Sequence, residues 1–229
     1  MDISLYCKEE GKGFPLILLH GNGEDSDYFQ HQMAFFSVKY RVIAVDTRGH
    51  GKSPRGEAPF TLTQFVEDLH GFMAEHRIEK AHLLGFSDGG NIALLFALKY
   101  PSLVERLILN GANLDPSGVK GWVQMPVVLG YHFASLFENR SEKAKAKAEL
   151  LGLMVNEPHI SETALEGLSM PVLVIAGTKD MIKDCHTRRI AAAIGGARLE
   201  ILEGDHFIAS KCPEAFNSAV DAFLSEDMK

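Results

Sequence analysis

Short apolar runs recur along the chain at intervals that suit the strands of a sheet. They are "FPLILLH", "YRVIAVD", "AHLLGFS", "VERLILNG", "PVLVIAGT" and "ARLEILEG". Several are continuous rather than alternating, the pattern of strands covered on both faces in a parallel sheet. Between them the spacing changes to that of helices. Within Thr61 to His76, residues Leu62, Phe65, Val66, Leu69, Phe72 and Met73 recur at helical spacing, and Asn91 to Lys99 and Pro213 to Leu224 follow the same rule. Alternating strands and helices predict an α/β fold with a doubly wound sheet. Asp2 to Lys8 and Phe14 to His20, joined by "EEGKG", read as an opening hairpin.

The rhythm breaks between about Leu114 and Ser169, where no convincing strand is found. "GWVQMPVVLGYHFASLF" is apolar but interrupted by Gly and Pro, and "SEKAKAKAELLGLM" is helical. The expected organisation is a core formed by residues 1–113 and 169–229 with a helical insertion at 114–168. There is no internal repeat and no low-complexity linker.

Composition narrows the function classes. The 229 residues are 46% hydrophobic and 23% charged, as in an ordinary globular protein of one or two domains. A net charge of -7 argues against nucleic-acid binding, which calls for a basic face. Lys143, Lys145 and Lys147 alternate with Ala and read as a solvated helix face. Cys7, Cys185 and Cys212 are scattered, without the spacing of a disulfide framework or zinc site. "MDISLYCKEEGKG" lacks the apolar core of a signal peptide, and no stretch approaches 18 apolar residues. The expectation is a cytoplasmic protein without membrane insertion.

The chemistry gathers at strand ends. Gly85-Phe86-Ser87-Asp88-Gly89 fits G-x-S-x-G, with a strand before it and a helix after it. A sharp strand-to-helix turn would hold Ser87 in a strained backbone conformation, with small neighbours making room. A serine hydroxyl is a weak nucleophile and needs a base held by a third group. The chain order Ser, acid, His points to Asp180 after "PVLVIAGTK" and His206 after "ARLEILEGD". Asp184, Asp115 and Asp205 are the rival acids. The other histidines have plainer readings: His31, His70, His76 and His186 as helical, His82 as packed on a strand, and His20 as a turn stabiliser.

An acyl-transfer site also needs preorganised donors for an oxyanion. "HGNG" follows the strand "LILL", so the backbone amides of Asn22 and Asp88 are the expected pair. "VDTRGHGKS" lacks the spacing of a phosphate-binding loop, and Asp46, Arg48 and His50 read as a structural loop beside the site. Trp122 and Phe133, with their apolar neighbours, are candidates to line a substrate pocket.

"HGNG", "DTRGHGKS", "GFSDGG", "AGTKD" and "EGDHF" stand in the order and spacing of the α/β-hydrolase family, which the chain resembles over nearly its whole length outside the insertion. The resemblance implies a mainly parallel eight-stranded sheet flanked by helices and a small helical cap inserted after strand 6. It implies the triad Ser87, Asp180 and His206, and neither a metal nor an organic cofactor. Serine at the nucleophile position departs from the epoxide hydrolase and haloalkane dehalogenase branches, which use Asp there. "LLGFSDGGNIALLFALKYPS" followed by "NGAN" is similar to the biphenyl hydrolase-like branch, which includes valacyclovirase. That branch favours esters of α-amino acids, and its Asp after the nucleophile meets the substrate ammonium. Carried over, that residue is Asp88, whose carboxylate is either such a contact or a surface-facing spacer. The chain departs from the branch in a shorter insertion and in "DMIKD", which replaces a proline-containing turn.

The expected activity is hydrolysis of small carboxylic esters through an acyl-enzyme, with a small-molecule ester as partner. Thioester or amide cleavage, carbon–carbon bond hydrolysis and perhydrolysis use the same residues, and a ligand-sensing protein on this scaffold is the alternative outside enzymes. Monomer and homodimer stay open.

Overall fold

The computed structural model describes residues 2–226. In chain order the elements begin with β1 (Cys7–Glu10), β2 (Pro15–Leu19), α1 (Gln30–Phe36), β3 (Arg41–Val45), α2 (Leu62–Glu75), β4 (Ala81–Phe86) and α3 (Asp88–Lys99). They continue with β5 (Val104–Asn110), α4 (Gly121–Ser135), α5 (Glu142–Asn156), α6 (Glu162–Leu165) and β6 (Val172–Gly177). The chain closes with α7 (Asp184–Ala193), β7 (Arg198–Leu202), α8 (Ile208–Lys211) and α9 (Pro213–Leu224).

The strands form one sheet in the order β1-β3-β2-β4-β5-β6-β7. All neighbours are parallel except β1, which runs antiparallel to β3. Side chains alternate across the sheet, as the two-residue period of a strand requires. Leu16 and Leu18 of β2 join α1, α8 and α9 on one face, while Ile17 and Leu19 join α2, α3 and α7 on the other. Both faces are therefore covered, which explains why the interior strands read as unbroken apolar runs.

Two expectations are corrected. The sheet has seven strands among the described residues, not eight, so the helices of the insertion follow the fifth of them. The opening hairpin is also absent: β1 pairs with β3, so β2 lies one strand further in. Side-chain chemistry accounts for this. The polar "CKEE" of β1 suits an exposed sheet edge, where charge discourages further pairing. The apolar "PLILL" of β2 belongs in the interior. Gly11 and Gly13, at φ 80° and 116°, carry the chain between them.

Between β5 and β6 the chain is helical. α4 runs unbroken through Pro126 and Gly130, and Gly130 and Gly152 let α4 and α5 approach closely. No described helix is long and apolar enough to cross a membrane.

The loop after β3 is tied down by an ion-pair network. Arg48 is fully buried and forms a two-point bridge to buried Asp68 on α2, at 2.7 Å for both Nε and Nη2. Its remaining donors reach Asp2 and the Arg55 carbonyl. Removing Asp68 would strip the buried guanidinium of its buried carboxylate and leave it the partly exposed Asp2 alone, so Asp68→Ala is expected to lower the unfolding free energy by about 3 kcal/mol. Asp184→Ala, which removes an exposed bridge to Arg188, should cost less than about 1 kcal/mol. Urea unfolding of both variants checks the difference.

Candidate active site

The carboxyl ends of β2, β4, β6 and β7 converge on one edge of the sheet, where α/β proteins gather their ligand sites. β4 ends at Phe86, and α3 starts at Asp88. Ser87 between them has φ 53° and ψ -121°, a conformation that an L-residue adopts only under constraint. Its N–H donates to the Asn110 carbonyl at 2.8 Å, and its own carbonyl accepts from Asn91 N at 3.1 Å.

The elbow is held by close backbone approach. A Cβ on Gly89 would lie 2.0 Å from the Leu19 carbonyl oxygen, and one on Gly85 would lie 2.2 Å from the Gly89 carbonyl oxygen. A side chain at Gly89 would push α3 away from β2, and one at Gly85 would push it away from β4. The Gly89 contact sets the first turn of α3 against the Leu19 and His20 carbonyls where the turn after β2 begins. The Asn22 side chain fixes the same turn from the other side, with Nδ2 donating to the Leu150 carbonyl of α5 at 2.7 Å.

His206 and Asp180, from the loops after β7 and β6, meet at 2.7 Å between Nδ1 and Oδ1. Both are buried. Asp180 Oδ1 also accepts the Ile182 amide at 2.8 Å, and the Lys120 ammonium holds the Asp180 carbonyl at 2.6 Å. The His206 Nε2 atom has no protein hydrogen-bond partner and is buried. Gly111, at φ 63°, leaves room for this ring: a Cβ there would sit 2.7 Å from His206 Cε1.

Ser87, His206, Asn22 and Gly21 line one cavity of about 100 Å³ with Glu24, Phe86, Met154, Met181 and Phe207. A larger hollow of about 500 Å³ beside Lys80, Pro101 and Pro171 opens at the starts of β5 and β6. It lies at the opposite edge of the sheet from Ser87.

The remaining candidates fall elsewhere. Trp122 and Phe133 do not line the cavity and are 73% and 67% exposed. α4 meets α5 along the face bearing Gly130 and Tyr131, which turns its largest apolar side chains outward. The Asp88 carboxylate is buried rather than surface-facing, and it too stays off the cavity wall. Its Oδ1 accepts from Asn91 Nδ2 at 3.3 Å, and burial with the nearby Glu157 raises its pKa to about 6. Asp115 caps a short turn, Asp184 pairs with Arg188, and Asp205 pairs with Lys211.

His20 has a structural assignment. Its Nδ1–H donates to the Gly21 carbonyl at 2.7 Å, and its Nε2 accepts the Thr47 amide at 3.0 Å. Burial lowers its pKa to about 4, so the ring stays neutral and links two loops. Asp46 likewise serves backbone, accepting the Ser26 and Lys52 amides. His50 lies buried against His20 and Phe60, His82 packs against Phe14 and Tyr40, and His186 accepts the Leu114 amide.

Glu24 is the cavity residue that sequence reasoning passed over. Its Oε2 accepts the Gly21 amide at 3.2 Å, and burial raises its pKa to about 7. The available signal was a carboxylate placed directly after the "HGNG" turn. Met154 and Met181 were missed as wall residues for want of any signal beyond apolarity.

Residues 15–146 match the model of the α/β hydrolase fold family, more than half of the chain. The chain belongs to the α/β-hydrolase family. It is similar to the human serine hydrolase BPHL, at 27% identity over 97% of this chain and 83% of that protein. It is similar to 3-oxoadipate enol-lactonase 2 of Acinetobacter baylyi, at 25% identity over 91% of this chain and 88% of that one. Among solved structures, the enol-lactonase from Burkholderia xenovorans matches its fold with a TM-score of 0.83 at 23% identity, over 98% of this chain and 97% of that one.

The elbow contacts generate a stability test. Gly89→Ala is expected to cost at least about 2 kcal/mol, because the added carbon meets backbone that cannot rotate away. A Cβ on Gly195 meets nothing within 4 Å, and Gly195→Ala should stay within about 0.5 kcal/mol of the parent. Chemical denaturation of the two variants compares them directly.

Proposed function

We propose that this α/β hydrolase is a serine hydrolase of small carboxylic esters, acting through an acyl-enzyme. The observation that carries the reading is the His206–Asp180 contact at 2.7 Å, which leaves an unpartnered Nε2 in the cavity that Ser87 also lines. In the proposed cycle, His206 Nε2 takes the Ser87 hydroxyl proton as Oγ attacks the ester carbonyl. Asp180 accepts from Nδ1–H, fixes the tautomer and stabilises the imidazolium that forms. The Asn22 and Asp88 amides donate to the oxyanion. Collapse expels the alcohol with the proton returned by His206. Water, activated by the same nitrogen, then releases the acid.

The cavity supports the choice of small substrates, since about 100 Å³ holds only a compact group against Phe86, Met154, Met181 and Phe207. The named hydrolases and esterases among its relatives support the reaction class. Residues 114–168 are proposed to act as the cap. Its contribution to the cavity is Met154 of α5, with α4 behind it. The Asp88 ammonium contact of the biphenyl hydrolase-like branch draws no support from a carboxylate that is off the cavity wall.

A fluorophosphonate is expected to label Ser87 stoichiometrically, and Ser87→Ala to abolish both labelling and turnover of short-chain esters. Asp180→Asn should fold normally yet lose roughly 10⁴-fold in kcat. A parent protein that turns over no member of a small-ester panel and resists the label would sink the reading.

A further inference from the structure

The cavity has one anomalous wall. Phe86, Met154, Met181 and Phe207 are apolar, and the Ser87–His206 pair is accounted for by the proposed chemistry. Glu24 is not. Several acids on this protein find cations, as Asp68 does in Arg48, Glu149 in Arg55 and Glu67 in Lys99, and others, such as Asp46 and Glu157, brace backbone away from the cavity. No described lysine or arginine forms a salt bridge with Glu24. The charged or titratable groups that face it are Asp25 on its own turn, the His206 imidazole and the Tyr28 phenol. One carboxyl oxygen is anchored by the Gly21 amide, three residues back in the same turn, so the group is tethered at the cavity wall. The other oxygen has no protein hydrogen-bond donor and is not sealed from solvent, so it can accept from a group that enters the cavity.

We infer that Glu24 is a specificity-determining residue whose carboxyl receives a cationic or hydrogen-bond-donating group of the substrate, an ammonium foremost, and repels substrates that carry a second carboxylate. This rests on the ester-hydrolase reading for its chemistry, and it assigns the selecting acid to the turn after β2 rather than to Asp88. The sign of the pH dependence follows from burial. With its pKa raised to about 7, Glu24 is a neutral acid below that value and a carboxylate above it. Preference for a cation therefore grows as pH rises through about 7.

The test is a matched set of three short esters, one ammonium-bearing, one neutral and isosteric, one carboxylate-bearing. kcat/KM is measured from pH 6 to 9 for the parent and for Glu24→Gln, which keeps an oxygen for the Gly21 amide. The parent should favour the ammonium ester over the neutral one, increasingly above pH 7, and discriminate against the carboxylate ester. Glu24→Gln should reduce the ammonium-to-neutral ratio by about 10–100-fold, the worth of a charged hydrogen bond, and flatten its pH dependence. A ratio that is unchanged, or a loss shared equally by all three esters, overturns the inference and leaves Glu24 as a brace of the turn. A second measurement does not need turnover: NMR titration of Ser87→Ala with butylammonium and with butanol, with and without Glu24→Gln. Weaker butylammonium binding specific to Glu24→Gln supports the assignment even if no ester is cleaved, which would count against the hydrolase reading alone. Equal binding of the two probes before the Glu24 change overturns the assignment.

Discussion

The contact between Gly89 and the Leu19 carbonyl sets the geometry on which the rest of the site depends. With no Cβ at Gly89, α3 begins against the end of β2, and the start of the helix lies close to the Leu19 and His20 carbonyls that lead into the cavity-lining turn at Gly21 and Asn22. The same closeness forces Ser87 into its positive-φ conformation. Such a residue costs on the order of 1–3 kcal/mol, and the surrounding structure must over-determine it. It does so through the Asn110 carbonyl beneath, the Asn91 amide behind and the fully paired strands β2, β4 and β5 on either side.

A second constraint is electrostatic. The site edge holds four acidic side chains, Glu24, Asp88, Glu157 and Asp180, with His206 among them. Burial raises the pKa of the first three, to about 7 for Glu24 and about 6 for Asp88. The three are not equivalent. Each has one protein donor: Asn91 Nδ2 for Asp88, the Leu62 amide for Glu157 and the Gly21 amide for Glu24. Asp88 Oδ2 is buried without a partner, but it stays off the cavity wall. What separates Glu24 from the other two is its place on that wall, where a ligand can reach it.

This distinction explains what the sequence disclosed. Ser87, Asp180 and His206 were legible because strand ends at a parallel sheet's carboxyl edge must be neighbours, whatever fills the loops between them. Asn22 was legible for the same reason. The edge strand was not, since "EEGKG" suits a hairpin as well as the crossover that places β1 beside β3. Trp122 and Phe133 were misplaced because α4 is apolar nearly all round. Its period cannot say which face is covered, and the glycines at 130 and 152 decide it by setting where α5 docks. Glu24's place directly after "HGNG" was legible, but its environment was not, because that comes from residues far apart in the chain, Phe86, Met154 and His206.

The helices between β5 and β6 bury Leu153 and Leu165 in the core and add polar ties at the site rim. Asn22 holds the Leu150 carbonyl, Arg55 forms a two-point bridge to Glu149, and Lys120 holds the Asp180 carbonyl. Two of these three ties end on residues of the proposed machinery, Asn22 and Asp180. A shift of α5 would therefore disturb the oxyanion turn and move the Met154 wall together. A shift at the start of α4 would be felt at the acid that orients His206. Substrate fit and catalytic alignment are coupled through these contacts, so a change in the insertion that alters which ester is accepted should also alter kcat rather than KM alone.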